Sequence, residues 1–137
     1  MSDENKNLKI DDYATLFEHI KKDIQLSQLK ATIAVNQELI LLYWRTGKVL
    51  IEKIDREGWG SKIITTLAHD LARSFPNLSG FSARNLLYMR KFAEIYPDPI
   101  YAAAAAQIPW GHNMVIIDKI ENTDIRLWYV QKCIENG

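Results

Sequence analysis

A long run of helical periodicity constrains this chain more than any other feature of its sequence. From Asp11 or Asp12, either of which can cap a helix, apolar residues recur three and four positions apart to about residue 56. Gly47 is the weak point of this run, which contains no proline. After Leu26 a second apolar stripe joins the first, so the later residues are apolar on two sides. The spacing predicts one long helix, or two nearly continuous ones, over residues 11–56, with the second half central to the core.

The rest of the chain divides into shorter segments at its prolines and glycines. No segment shows the sustained apolar–polar alternation of a half-buried strand, and no internal repeat is visible. The predicted fold class is all-α, with residues 1–10 as a disordered polar tail and residues 11–137 as a single helical domain. The predicted shorter helices span residues 61–75, 82–96, 112–121 and 124–135, with Ser61, Ser82 and Thr123 as caps, and residues 102–106 are helix-favouring alanines.

Composition and charge exclude several classes of protein. The hydrophobic fraction of 47% is enough for a real core in 137 residues, so the chain is not expected to be disordered. Lys and Arg together number 17, as do Asp and Glu, and this zero net charge argues against a binder that is basic over its whole surface. A single cysteine, Cys133, fits a reducing compartment, and the polar N-terminus has no apolar signal segment. We therefore expect a soluble, cytoplasmic protein without a membrane partner.

The helices predicted at 61–75 and 82–96 have the outline of a helix-turn-helix motif, in which the second helix enters the major groove of DNA. Residues 76–80 form the predicted turn. Between residues 61 and 91 there are five basic side chains and one acidic side chain, so this segment carries a net charge of +4 and the rest of the chain −4. The two helices are predicted to pack on one another through Leu67, Leu71, Phe75, Tyr88 and Phe92.

The candidate DNA contacts lie mainly on the polar arc of the second helix. Arg84 and Lys91 are seven residues apart, so they fall on nearly the same line of that helix. An arginine there can bind a guanine or hold a phosphate, and a lysine can neutralise a phosphate. Backbone amides next to Ser82 can also meet a phosphate at the start of the helix. The complete set of candidates is Arg84, Arg90, Lys91 and Ser82 on the second helix, with Lys62, Thr66 and Arg73 on the first.

Two other interpretations stay open on spacing and charge alone. Amphipathic helices with basic solvent faces occur in many proteins that bind no nucleic acid, and Asn85, inside the apolar arc, is typical of a hydrogen-bonded structural residue. The two-sided apolar character of residues 29–44 also fits a protein–protein interaction or dimerisation module. A continuous basic face around Arg84 would favour DNA, whereas an exposed apolar patch along the long helix would favour assembly, as in a homodimer.

No enzyme site, metal site or cofactor site is predicted, and no small-molecule substrate is expected. A nuclease of the PD-(D/E)XK type needs clustered carboxylates and a lysine around a divalent metal, whereas the E-x-K string at residues 4–6 lies in the polar tail. His19, His69 and His112 lack the spacing and the cysteine companions of a zinc site. The chain contains no glycine-rich loop of the phosphate-binding or dinucleotide-binding kind.

Four strings of residues resemble a known bacterial family. They are VNQELILLYWRTGKVL at 35–50, GWGSKIITTLAHDL at 58–71, GFSARNLLYMRKFAEIYP at 80–97 and IPWGHNMVIIDKI at 108–120. In order and spacing they are similar to the N-terminal domain of the YhcG-like proteins. The resemblance implies a helix-turn-helix-like domain that binds double-stranded DNA. It also implies a following nuclease-like domain of the PD-(D/E)XK type, which would lie beyond residue 137, so that this chain is expected to be the recognition part and not the catalytic part.

Overall fold

The chain consists of helices joined by short connections. A computed structural model describes the backbone of residues 3–56, 58 and 62–137 and the side chains of residues 12–54, 58 and 62–137. No strand occurs within these ranges, which confirms the all-α prediction, and none of their helices combines the length and hydropathy needed to span a bilayer. The helices are α1 (Asp3–Ile51), α2 (Lys62–Ser74), α3 (Ala83–Ile95), α4 (Pro99–Ala105), α5 (Trp110–Lys119) and α6 (Thr123–Asn136), and a π-helical turn, Glu52–Arg56, follows α1.

The long helix predicted from the sequence is present, and it begins earlier than expected. α1 starts at Asp3, and the backbone of residues 3–10 belongs to this helix. Its end agrees with the prediction, because α1 and the π-helical turn together reach Arg56. The chain divides into two units, Met1–Val35 and Asn36–Gly137. Both units include residues of α1, so the boundary between them falls within this helix.

In the first unit, every large apolar side chain that the structure describes is exposed. The exposed fractions range from 46% for Ile33 to 69% for Val35. The backbone of this segment satisfies its own hydrogen bonds as a helix, but its apolar side chains gain nothing from burial within the unit. These side chains are Tyr13, Leu16, Phe17, Ile20, Ile24, Leu26, Leu29, Ile33 and Val35.

In the second unit, α3 contributes to two buried clusters. Leu86 and Met89 pack with residues of α1 and α2, whereas Phe92 packs with residues of α1, α4 and α5. Trp110, at the start of α5, lies against both clusters. Burial of three successive turns on one side of α3 determines which side of this helix remains in solvent. The first cluster comprises Tyr43, Leu50, Ile64, Leu86 and Met89; the second Ile40, Phe92, Tyr96, Ala105, Ala106 and Ile117; and a third Ile108, Ile116 and Val130.

The packing of α2 on α3 differs from the prediction. Phe75 is 53% exposed, and Leu71 is only partly buried. Leu67 does pack against the first cluster, but Phe92 belongs to the second and Tyr88 packs against the second. Helical periodicity identifies the apolar arc of α3, but it does not say which neighbouring helix covers each part of that arc. The central positions between α2 and α3 are held instead by Ile64, Leu86 and Met89.

The helix caps agree with the prediction at one position and differ at another. The Ser82 hydroxyl accepts a hydrogen bond from the backbone amide of Asn85 at 3.1 Å, so it caps α3 as predicted. Helix α6 is capped by Asn122, one residue before the predicted Thr123, which is the first helical residue. The third predicted cap, Ser61, lies outside the described residues.

Candidate nucleic-acid interface

The solvent side of α3 carries two of the predicted contacts on one stripe. Because Leu86, Met89 and Phe92 are buried, the residues on the other side of α3 point into solvent. Arg84, Leu87 and Lys91 are all exposed and follow one another three and four positions apart. The structure therefore brings Arg84 and Lys91 together, as the helical spacing predicted.

A shallow cleft of about 270 Å³ lies beside this stripe. The Arg84 guanidinium carbon is 5.6 Å from the centre of the Tyr88 ring, close enough for a cation–π contact that orients the arginine. The place of Tyr88 in the apolar arc predicts a core residue. Tyr88 is instead only half-buried, and it lies at the cleft wall. The cleft is lined by Arg84, Leu87, Tyr88, Lys91 and Asp118.

An acidic residue of α5, Asp118, completes the cleft. The Tyr88 hydroxyl donates a hydrogen bond to a carboxylate oxygen of Asp118 at 2.6 Å. The two residues are 30 positions apart, and nothing in the local pattern of α5 distinguishes Asp118 from a solvated acid. Only the packing of α5 on α3 brings this negative charge to the wall of the basic cleft.

The other two predicted arginines each have an acidic partner. Nε of Arg90 lies 3.1 Å from a carboxylate oxygen of Glu94, and this arginine is the most buried of the candidate cations. On α2, Arg73 lies 3.3 Å from a carboxylate oxygen of Asp70. Exposed ion pairs of this kind contribute little to stability, and they exchange readily for another anion. Among the described side chains, no carboxylate lies within ion-pair distance of Arg84, Lys91 or Lys62.

The hydroxyl groups of Thr66 and Ser82 are already engaged in local hydrogen bonds. The Thr66 hydroxyl donates to the carbonyl of Lys62 at 3.0 Å, so its proton is directed to its own helix and away from a ligand. The Ser82 oxygen accepts from the Asn85 amide, and its hydrogen is still available for donation. Lys62 is exposed at the first turn of α2. All three residues are exposed, but the Thr66 hydroxyl hydrogen is already engaged within its own helix.

Asn85 holds the turn that precedes α3 in place. Its side-chain amide donates to the carbonyl of Gly80 at 2.5 Å, and its side-chain oxygen accepts from the indole nitrogen of Trp110 at 2.7 Å. Gly80 has a φ of +95°, a conformation that L side chains rarely adopt, and a Cβ there would collide with the Tyr43 hydroxyl. The prediction that Asn85 is a hydrogen-bonded structural residue is confirmed. Its two bonds connect the turn before α3, α3 itself and α5.

The connection between α2 and α3 departs from the standard helix-turn-helix motif. α2 ends at Ser74 and α3 begins at Ala83, whereas the motif has a turn of about three or four residues. Phe75 and Leu78, within this connection, are both exposed. The two helices therefore follow one another in the order of the motif, but the connection between them is longer than the motif's turn.

The side chains that the structure describes include no group of three His, Cys, Asp or Glu residues that could hold a metal ion. His69 and His112 are exposed on α2 and α5, and His19 is exposed on α1. The three histidines lie on three different helices, and the structure does not gather them into one site.

Together these features define a small all-α domain whose third helix presents a capped N-terminus and a basic stripe to solvent. The chain belongs to the family described as the DUF1016 N-terminal domain, whose sequence pattern matches residues 19–137. This is the YhcG-like family that the four strings indicated, and the recognition is confirmed. No curated protein and no solved structure matches the chain.

Proposed function

We propose that this domain binds double-stranded DNA through the exposed stripe of α3 and thereby directs an attached nuclease-like domain to its substrate. The observation that carries the proposal is the placement of Arg84 and Lys91 together beside one cleft, with Arg84 near the capped start of the helix. A guanidinium and an ammonium on one exposed helix line can neutralise successive phosphates or reach base edges. The attached nuclease-like domain is what the family resemblance implies.

The charge of the α2–α3 segment supports the same proposal. Residues 62–91 contain Lys62, Arg73, Arg84, Arg90 and Lys91 against Asp70, so five sixths of their charged side chains are basic. Lys62, Arg73, Arg84 and Lys91 are exposed. A basic segment in a neutral chain attracts a polyanion locally, and the acidic remainder opposes binding in other orientations.

The direct test is a titration of the 137-residue chain against a DNA duplex at several salt concentrations. We expect Arg84→Ala and Lys91→Ala each to weaken binding about 5- to 50-fold, which is the range of one good charged contact. The salt dependence should be less steep in the Lys91 variant, because one phosphate fewer is neutralised. Neither side chain is buried, so thermal unfolding should be nearly unchanged.

The matched control is Lys132→Ala. Lys132 is an exposed cation of α6 that also contacts an aromatic ring and a carboxylate, so the variant makes the same change of charge on another helix. Equal weakening by Lys132→Ala would mean that only net charge matters. Binding that is undetectable at low salt, or that ignores the α3 variants, would contradict the proposal.

A substitution of Asp118 is expected to strengthen DNA binding, whereas the substitutions of Arg84 and Lys91 weaken it. Asp118→Asn keeps an oxygen that can accept the Tyr88 hydrogen bond, but it removes the negative charge from the cleft wall. If DNA phosphate lies near Arg84 and Lys91, this variant should bind about 2- to 10-fold more tightly. Glu135→Gln, which neutralises an exposed acid of α6, should have little effect. Unchanged binding in the Asp118 variant would place the DNA away from this cleft.

A further inference from the structure

The exposed apolar side of the first unit has a self-complementary pattern. Seven positions of α1 follow the alternating four- and three-residue spacing of a coiled-coil seam, and at 100° per residue they fall on one side of the helix. The first four side chains are bulky and the last three are small. In chain order these positions are Tyr13, Phe17, Ile20, Ile24, Ser27, Ala31 and Ala34, all of them exposed. We name them the seam.

We propose that the seam pairs with the seam of a second copy of this chain, with the two helices antiparallel. In that arrangement Phe17 lies opposite Ala34 of the second copy, Ile20 opposite Ala31 and Ile24 opposite Ser27. Each of these three bulky side chains then meets a small one, and the two-fold axis repeats the three contacts in reverse order.

A parallel pair would fit less well. It would place each bulky residue opposite its own copy and each small residue opposite a small one. The half of the seam from Ser27 to Ala34 would then leave gaps between the helices, which forfeit dispersion contacts. Size complementarity thus favours one direction over the other.

Charge complementarity favours the same direction. Asp23 and Lys30 lie seven residues apart on one flank of the seam, both exposed and without an ion-pair partner among the described side chains. Antiparallel pairing brings Asp23 of each copy beside Lys30 of the other, so two ion pairs form. In a parallel pair the residues across the seam from them would be Gln28 and Val35, which are uncharged. The proposal does not depend on DNA binding, since no residue of the candidate DNA interface belongs to the seam.

The experiment is sedimentation equilibrium of the 137-residue chain and of charge-reversed variants. Asp23→Lys and Lys30→Asp each replace two attractions by two repulsions, so each variant alone should dimerise at least about tenfold more weakly. A one-to-one mixture of the two variants should recover a dimer, because both of these positions are then basic in one chain and acidic in the other, so that opposite charges meet. The double variant should recover a homodimer for the same reason.

The apolar contact has its own variant and matched control. Ile20→Gln should reduce dimerisation more than 100-fold, because an exposed side chain that is buried in the dimer becomes polar on both copies. Leu29→Gln makes the same kind of change on the opposite side of the helix and should leave the dimer intact. Glutamine favours helix, so circular dichroism should be unchanged in both.

Three results would overturn the proposal. The first is a monomer at every concentration, which would assign the apolar side to a different protein or to a further part of a longer chain. The second is a dimer whose charge variants are not rescued by mixing, which would exclude the antiparallel arrangement. The third is a dimer that Leu29→Gln disrupts and Ile20→Gln does not, which would place the interface on the opposite side.

Discussion

Gly47 shows how one missing methyl group positions a helix. In the sequence this glycine was a weak point in an otherwise regular helical run. In the structure it is buried within α1, and a Cβ built there would collide with the backbone carbonyl of Met89 and lie 2.9 Å from the Cβ of Ala93. The glycine therefore permits α1 to approach α3 closely enough for the first cluster to form. A local pattern cannot predict this role, because the neighbouring atoms come from a distant part of the chain.

Gly47→Ala is expected to lower the free energy of unfolding by about 1–3 kcal/mol, because the backbone of α3 must move away. This loss should occur although alanine is the better helix former. The matched control is Gly111→Ala in the first turn of α5, where a Cβ would meet nothing within 4 Å. The control should be neutral or more stable by about 0.5–1 kcal/mol. Chemical denaturation measures both, and a neutral Gly47 variant would contradict the close approach.

The Tyr96 hydroxyl is a buried polar group without a hydrogen-bond partner among the described atoms. An unsatisfied buried group of this kind costs about 1–3 kcal/mol relative to its absence. Tyr96→Phe keeps the ring, which packs edge-on against Phe92 with centroids 5.5 Å apart. We expect this variant to raise the free energy of unfolding by about 1 kcal/mol, measured by urea denaturation. A clear loss of stability would mean that the hydroxyl has a partner.

The same tyrosine gives a prediction about alkaline pH. Burial raises the pKa of Tyr96, and the nearby Arg126 guanidinium opposes this only in part. Because the folded-state pKa is above the unfolded value of 10.0, the stability that depends on the protonated hydroxyl is present below that pH. It is lost as the pH rises towards the folded-state pKa.

Burial raises the pKa of Tyr43 as well. The wild-type chain should therefore lose stability above about pH 10 through the ionisation of both Tyr43 and Tyr96. In Tyr96→Phe the loss should be smaller, since one of the two groups no longer ionises. Denaturation midpoints measured between about pH 8 and pH 11 provide the check. Identical pH profiles for the two proteins would contradict the assignment of Tyr96 as a titrating buried group.

At the scale of the element, α3 shows what sequence periodicity can and cannot predict. Its bounds, its Ser82 cap and the exposed line through Arg84 and Lys91 follow from local spacing, which depends on residues close in the chain. The burial of Leu86, Met89 and Phe92 against two different sets of helices, and the presence of Asp118 at the cleft, depend on contacts between distant residues. The order of α2 and α3 follows from local spacing and was predicted. The prediction of which side chains pack between the two helices was partly wrong, because that packing depends on distant residues.

Ser82 links the cap of α3 to its proposed ligand, and two substitutions separate these roles. Ser82→Ala removes the side-chain acceptor for the Asn85 amide and should cost about 0.5–2 kcal/mol of stability. Ser82→Asp keeps an acceptor there and should be about as stable as the wild type. If DNA phosphate lies at the start of α3, the added negative charge should nevertheless weaken binding. Thermal unfolding and the DNA titration together decide, and an aspartate variant that binds normally would remove phosphate from this helix end.

At the scale of the whole molecule, the zero net charge conceals an uneven distribution. The basic excess of residues 62–91 is balanced by acidic residues elsewhere in the chain, and no described group of acidic side chains gathers into a metal-binding cluster. The net charge of the whole chain therefore argues against a protein that is basic over its entire surface. The local excess of basic residues in α2 and α3 argues instead for an anionic partner at that segment. The division of the chain at Val35 could not be predicted from periodicity, because the helical pattern continues through it without interruption.

The proposed role of the 137-residue chain, binding DNA without cutting it, can be tested directly. We expect no Mg²⁺-dependent cleavage of plasmid DNA, because a divalent metal that activates a phosphate needs several converging carboxylates. Agarose electrophoresis of supercoiled plasmid incubated with highly purified protein is the measurement. Cleavage that disappears on substitution of one residue within the chain would contradict this prediction.

The two hydrogen bonds of Asn85 have a thermodynamic consequence for any ligand of α3. Because they connect Gly80, α3 and Trp110, the backbone at the start of the helix is already ordered in the folded chain. Ordering the backbone of one residue costs about 1–2 kcal/mol of conformational entropy. At the start of α3 this entropy is lost when the chain folds and not when a ligand binds. A ligand therefore meets a preorganised surface, and its affinity is not reduced by the need to order a loop. Binding at this end of α3 should accordingly be close to rigid-body association.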